Sequence, residues 1–403
     1  MDAGDAAWEA RPNRGRRHRV VVGAAGLTAL VVGVALAGGD WPTSRPPPES
    51  TGPDQGSLEV AGQPGAEAPA GGEIPEVAVL RGPGPGADEA ELPALDEPTG
   101  VVLVATALGD RDVTIVDVDA GEAATRDLDD IGARDPVAGF VVDDRFVVST
   151  EERLYTLASG PHGSAELVAD VGDIAEAWPA GGTDRVWVRV ARGEGAPSRV
   201  QQIALDGRVT VEPTQAPTGN VAAGLASHVL LRRGGDLVAW QPGDDDVAVE
   251  VSSTVAMAAV GHRFAWCAGE SREPACKELH LTDVRGHRDQ RVADVADETA
   301  TFAAYNAAFS PDGRFLATPV CTHPTACSLA VVDVGSRRAW VAAEGLLAQS
   351  SGLAWSPDRR WVFAHLTDGQ VAAYRPGDDE ARRIPVDLGR TGRIHDLGVL
   401  DAG

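Results

Sequence analysis

The sequence predicts an all-β fold in which one four-stranded unit is copied around an axis. Three observations predict it. First, Ala308-Phe309-Ser310-Pro311-Asp312-Gly313-Arg314-Phe315-Leu316 returns 46 residues later as Ala354-Trp355-Ser356-Pro357-Asp358-Arg359-Arg360-Trp361-Val362. A period of that length, worded apolar–turn–apolar, marks a repeated β unit. Second, turn glycines recur at Gly121, Gly160, Gly207, Gly243, Gly286, Gly335 and Gly377, spaced by 36 to 49 residues. Third, the chain ends in an apolar run, Ile394 to Leu400, that has no partner within its own unit.

Residues 1–19 form a basic tail carrying Arg11, Arg14, Arg16, Arg17 and Arg19. Val20 to Gly39 follow without one charged residue. Twenty helical residues would span about 30 Å, the thickness of a bilayer core. Basic residues before this stretch and acidic ones after it orient a single-pass anchor, with the amino terminus in the cytoplasm and the rest outside it. The competing reading is a cleaved signal peptide, because Ala35-Leu36-Ala37 resembles a small-x-small cleavage site, and it would make the protein secreted. Ala25, Ala29, Gly33 and Ala37 share one helix face, the kind of stripe that lets two helices approach closely in lipid and form a weak homodimer.

Residues 40–98 change character. They hold twelve of the 27 prolines, twelve acids and only two arginines. Such a segment buries too little apolar surface to offset its ordering entropy, and is expected to be a disordered, semi-stiff linker. Its apolar runs Leu58–Ala61 and Ile74–Leu80 are the parts able to dock on the folded domain or a partner.

From residue 99 to 403 short β-rich runs alternate with Gly, Asp and Pro, as antiparallel strands require. The last full unit reads Gly352–Trp355, Trp361–Leu366, Gln370–Arg375 and Ala381–Leu388. The unit before it reads Tyr305–Phe309, Phe315–Cys321, Cys327–Val334 and Arg338–Ala343. Weaker copies open at Val142, Asp184, His228 and His262. Seven glycine marks predict seven blades, hence a seven-bladed β-propeller. The first unit starts at Val101 on what reads as a second strand, so Ile394–Leu400 is expected to supply its missing first strand and close the ring. In the Ser-Pro-Asp-Gly turn, Pro fixes φ, Ser and Asp accept local hydrogen bonds, and Gly allows the exit geometry. Arg359 stands where the second copy would have that Gly, which predicts a strained or differently shaped turn.

The repeated phrase resembles that of the TolB-type and WD-like β-propellers, strongly in two units and weakly in five. The resemblance implies fold more than activity, since propellers host receptors, scaffolds and enzymes.

Four cysteines, Cys267, Cys276, Cys321 and Cys327, bracket the loops between the second and third strands of two successive units, with eight and five residues between partners. The blade arrangement selects the disulfides Cys267–Cys276 and Cys321–Cys327. Zinc is the alternative, although these spacings are not those of chelating pairs, and an extracytoplasmic location favours oxidation. By resemblance such loops lie on the face that many propellers offer to partners. Glu270, Arg272, Glu273 and His323 are then candidate contacts, and a stapled loop loses less entropy on binding.

No phosphate-binding glycine loop, Gly-x-Ser-x-Gly elbow or His-Glu-x-x-His helix occurs. The histidines outside the tail are scattered singly, and no metal, cofactor or catalytic residue is assigned. Asp117-Val118-Asp119-Ala120-Gly121 resembles the start of a calcium loop but falls where a hairpin turn is expected. The formal net charge of -25 argues against nucleic acid as a partner. The expectation is therefore a membrane-tethered extracytoplasmic propeller that binds or scaffolds an envelope protein, peptide or polymer without catalysis. The alternative is an extracytoplasmic glycan hydrolase or lyase using carboxylates near the ring axis.

Overall fold

A computed structural model describes residues 77–83, 91–107, 112–128, 136–157, 165–191, 198–244, 247–253, 255–268, 276–303, 306–349, 352–386 and 394–402. The basic tail, the apolar stretch 20–39 and linker residues 40–76 lie outside them. Among the described residues no helix is long and apolar enough to cross a membrane.

The described residues form a seven-bladed β-propeller. Blade 1 combines Ile394–Asp401, Val101–Ala107, Asp112–Asp117 and Glu122–Asp127, in that order from the axis outward. Blades 2 to 5 follow the chain, with innermost strands Pro136–Val142, Ile174–Pro179, Asn220–Gly224 and Ala256–Val260. Blade 7 begins at Leu353–Trp355. Neighbouring innermost strands touch all the way round, including blade 7 with blade 1. The closing strand runs antiparallel to Val101–Ala107, from Val101 opposite Asp401 to Ala107 opposite Ile394. The ring is thus closed by the orphan strand that the sequence left unpaired.

Seven apolar clusters sit one at each blade boundary. Between blades 1 and 2, for example, Val102, Val104, Val113 and Ile115 meet Phe146, Val148, Tyr155 and Leu157. Middle strands therefore bury both faces, which is why they read as continuous apolar runs. The outermost strands of blades 1 to 3 are largely exposed. Close approach near the axis requires glycine at two positions in particular. A Cβ on Gly224 would stand 2.4 Å from the Pro179 carbonyl oxygen and 2.7 Å from Trp187, and one on Gly398 would stand 2.5 Å from Val141.

The two copies of the repeated phrase make the same turn. In blade 6 the Phe315 amide donates to Ser310 Oγ (2.9 Å), Ser310 Oγ donates to Asp312 (2.7 Å), and the Gly313 amide donates to the Ser310 carbonyl (2.8 Å). In blade 7 the corresponding distances for Trp361, Ser356, Asp358 and Arg359 are 2.9, 2.6 and 2.9 Å. Gly313 and Arg359 both have φ of +68°. Arg359 thus keeps the glycine geometry, at the left-handed cost of about 1–2 kcal/mol for a residue with a Cβ. Its guanidinium also reaches across the blade boundary to Asp312 at 3.1 Å.

One feature departs from the sequence reading. The first strand of blade 6 is split into Thr301–Phe302 and Ala308–Phe309, both paired with the nine-residue strand Phe315–His323. That neighbour runs on into the stapled hairpin, and its inner edge is covered in two pieces. In addition, part of the predicted linker packs on the ring. Ala78–Leu80, within the apolar run Ile74–Leu80, lies parallel to Arg288–Val295 on the outer edge of blade 5, with Ala78 and Leu80 buried. Farther along, Leu92 packs at the boundary of blades 6 and 7 and Leu95 at that of blades 7 and 1. The Leu95 amide donates to the Arg383 carbonyl (2.8 Å) and the Arg383 amide to the Pro93 carbonyl (2.7 Å). Arg375 and Arg382 pair with Glu97 and Asp96. Residues 77–83 and 91–98 therefore mark a strap along the rim of blades 5, 6 and 7.

Candidate functional site

The four cysteines form two disulfides, Cys267–Cys276 and Cys321–Cys327, with Cα separations of 5.5 and 4.0 Å. Each lies at the end where the second and third strands of its blade are connected: in blade 5 Cys267 of Arg263–Ala268 is bonded to Cys276, two residues before Glu278–Asp283, and in blade 6 the bond joins Phe315–His323 to Ala326–Asp333. All four residues are buried.

The two staples are one structure. The Phe302 amide donates to the Cys276 carbonyl at 2.7 Å. Thr301 and Phe302 in turn pair with Cys321 and Val320. One two-residue strand therefore ties the blade 5 hairpin to the blade 6 hairpin. Further bonds hold the surroundings: the Gln349 amide donates to the Pro324 carbonyl (2.7 Å), Asn306 donates to the Gln349 carbonyl (2.9 Å), and Lys277, the chain's single lysine, donates to the Glu298 carbonyl (2.6 Å). The result is a stapled platform across two blades.

His323 lies at the tip of the blade 6 hairpin, exposed, with Nδ1 3.0 Å from the Thr325 hydroxyl. Glu270, Arg272 and Glu273 lie outside the described residues. Replacing both cysteines of the Cys267–Cys276 pair by serine is expected to cost about 2–3 kcal/mol, the closure entropy of a ten-residue loop. Urea unfolding of the oxidised wild type against that variant measures it, and coincident midpoints would show that the staple restrains nothing.

Asp119, in the loop-like segment after Asp112–Asp117, accepts the Thr99 amide (2.7 Å), the Thr99 hydroxyl (2.9 Å) and the Gly100 amide (2.7 Å). Although burial opposes it, these bonds hold the carboxyl below its ordinary value. Asp117 accepts the Asp119 and Ala120 amides, and Gly121 has φ of +69°. The segment is the expected hairpin turn. Among the described residues, no three His, Cys, Asp or Glu side chains are grouped to hold a metal ion.

Around the axis the innermost strands present mostly Ala, Val, Gly and aromatic residues. The acids whose side chains are described on them are Glu176 and Asp401. Glu176 is bonded to Arg189 at 2.8 Å; burial pushes its carboxyl up despite that guanidinium.

A grouping that the sequence did not single out joins blades 4 and 5. Ser227 Oγ lies 3.0 Å from His228 Nδ1 and 3.5 Å from His262 Nδ1. Burial lowers the pKa of both rings; His262 and Arg285 add to the shift at His228, and Arg285 adds at His262, while Asp244 and Asp283 oppose it. The folded state thus binds fewer protons here than the unfolded chain does below its histidine pKa of about 6.5. Stability is expected to fall as pH drops below that value and through the lowered folded pKa values. Urea midpoints at pH 7.5 and pH 5.5 test this, with His228→Gln/His262→Gln expected to flatten the difference.

Sequence comparison gives no relative: no family model matches the chain, and no curated protein matches it. Among solved structures, Hsv2 of Kluyveromyces lactis with a complete loop 6CD is similar over 61% of this chain and 74% of its own, with a TM-score of 0.44 and 12% identity. A second Hsv2 structure from the same organism covers 61% and 75%, with a TM-score of 0.43 and 11% identity.

Proposed function

We propose that the protein is a membrane-tethered, extracytoplasmic binding or scaffolding module whose stapled platform on blades 5 and 6 engages an envelope protein, peptide or polymer. The observation that carries this reading is the linking of two disulfide hairpins through Thr301–Phe302 into one surface. A surface fixed before contact loses little conformational entropy on binding. Disulfides persist in oxidising compartments, which supports an extracytoplasmic domain. The basic tail, uncharged stretch and acidic linker of the sequence support a tether. The Ser-Pro-Asp-Gly wording supports kinship with TolB-type and WD-like propellers. The enzyme alternative calls for free carboxylates near the axis; of the acids described on the innermost strands, Glu176 is bonded to Arg189.

Crosslinking in intact envelopes followed by recovery of the full chain tests the proposal. A discrete partner is expected, reduced in yield by His323→Ala and by loss of the Cys321–Cys327 staple. An unchanged set of crosslinked products in both variants would overturn the platform as the contact, and free thiols on the recovered chain would overturn the compartment.

A further inference from the structure

The opposite end of the same two blades carries a second, chemically different surface. There an open cleft of about 480 Å³ lies between the turns of blade 5 and those of blade 6. Four arginines line it, Arg263 and Arg288 from blade 5 with Arg314 and Arg337 from blade 6, together with Asp283 and Asp312. These residues come from the turns joining first to second and third to fourth strands. The cleft is therefore at the far end of the blades from the disulfide hairpins.

The two lining carboxylates are already engaged. Asp283 lies 3.6 Å from Arg263, and Asp312 is held by Ser310 and by Arg359 of blade 7 at 3.1 Å. Arg314 is positioned by two bonds to the buried carboxylate of Asp333, at 3.2 and 3.1 Å, and by the Phe315 ring 4.7 Å beneath it. The turn bearing Arg337 is fixed as well, because Asp333 accepts the Gly335 and Ser336 amides at 3.0 Å each. Arg288, at the start of the outermost strand of blade 5, enters no ion pair among the described residues. The mouth is thus net positive on a chain of formal charge -25, and its guanidiniums approach one opening from two blades.

We infer that this cleft binds a phosphate-bearing ligand. Guanidinium forks pair with oxyanions through parallel charge-assisted hydrogen bonds, and a tetrahedral, multiply charged phosphate can accept such donors from several directions at once. The volume suits a small ligand or one or two units of a phosphate polymer. The acidic remainder of the ring repels the same anions, which favours the cleft over the rest of the propeller surface. This site is independent of the stapled platform, and either assignment can fail without the other.

The test uses the full chain in detergent, titrated with inorganic tripolyphosphate and, in parallel, with a water-soluble short-chain phosphatidic acid. Saturable binding is expected with wild type. Arg288→Glu should weaken it about tenfold or more, and Arg288→Lys should weaken it less, since it keeps the charge and loses the fork. Arg145→Glu, on an exposed residue of blade 2, should leave it unchanged. Equal affinity for both probes assigns the phosphate group alone, and tighter binding of the lipid assigns a headgroup. Unaltered binding in Arg288→Glu, an equal loss in Arg145→Glu, or no saturation with either probe overturns the site. Circular dichroism of each variant separates lost binding from lost fold.

Discussion

A chain truncated before Ile394 is expected to lose its cooperative fold. The removed strand pairs along the whole of Val101–Ala107 and buries Leu397, Val399 and Leu400. Val399 packs at the boundary of blades 7 and 1, and Leu400 at that of blades 1 and 2. Burying three such side chains stabilises by about 1.5–3 kcal/mol each. Their loss approaches the whole 5–15 kcal/mol that separates a typical native domain from its unfolded state. It also bares the edge of an apolar strand, so aggregation is expected beside unfolding. Urea denaturation followed by circular dichroism gives the readout, and a synthetic peptide of residues 394–403 should restore a transition when added back. A truncated chain with the wild-type midpoint would mean that the ring holds without its closing strand.

The second large effect is expected at Trp187. Its ring is fully buried on the second strand of blade 3, and its Nε1 donates to the Leu225 carbonyl of blade 4 at 2.7 Å. It fits only because Gly224 lies beside it. Trp187→Ala removes this wedge and leaves a cavity, for an expected loss of about 3–5 kcal/mol. Trp187→Phe keeps most of the volume but strands the Leu225 carbonyl, for about 1–3 kcal/mol. The order Ala worse than Phe, read from denaturant midpoints, is the critical outcome. Equal losses would place the energy in the hydrogen bond alone.

The parts of this protein that were legible in its sequence are those that repeat or count. Ser310-Pro311-Asp312 and Ser356-Pro357-Asp358 announce one turn because local bonds made by Ser and Asp create it. The final strand was legible because the first unit lacked one. The cysteine pairs followed from their place between the second and third strands. Other features depend on the ring itself. Arg263, Arg288, Arg314 and Arg337 meet only after blades 5 and 6 are set side by side. Likewise, Ser227, His228 and His262 come together through two neighbouring turns. The strap was half legible: the apolar run Ile74–Leu80 marked a docking segment, yet nothing local indicates blade 5 as its seat, because parallel pairing to an outer edge depends on tertiary position.

A further turn signal was present and missed. Asp117, Asp283 and Asp333 each end a third strand, each is followed by Val, and each accepts backbone amides of the next turn. That Asp-Val pair would have identified three blades independently of glycine.

Were the chain pulled from its amino-terminal side, the strap would decide how the load reaches the ring. Tension arriving from residues before 77 reaches the ring first at Ala78–Leu80, on the rim of blade 5, and the seam between blade 7 and blade 1 lies farther along the chain. Pull directed along the parallel pair of Ala78–Leu80 with Ala293–Val295 loads its hydrogen bonds together, whereas peeling would break them one at a time. Leu92, Leu95 and the pairs of Arg375 and Arg382 must also yield before force arrives at Val101. Under such a pull the rim would serve as a strain relief, as the clamp on a cable protects the joint behind it.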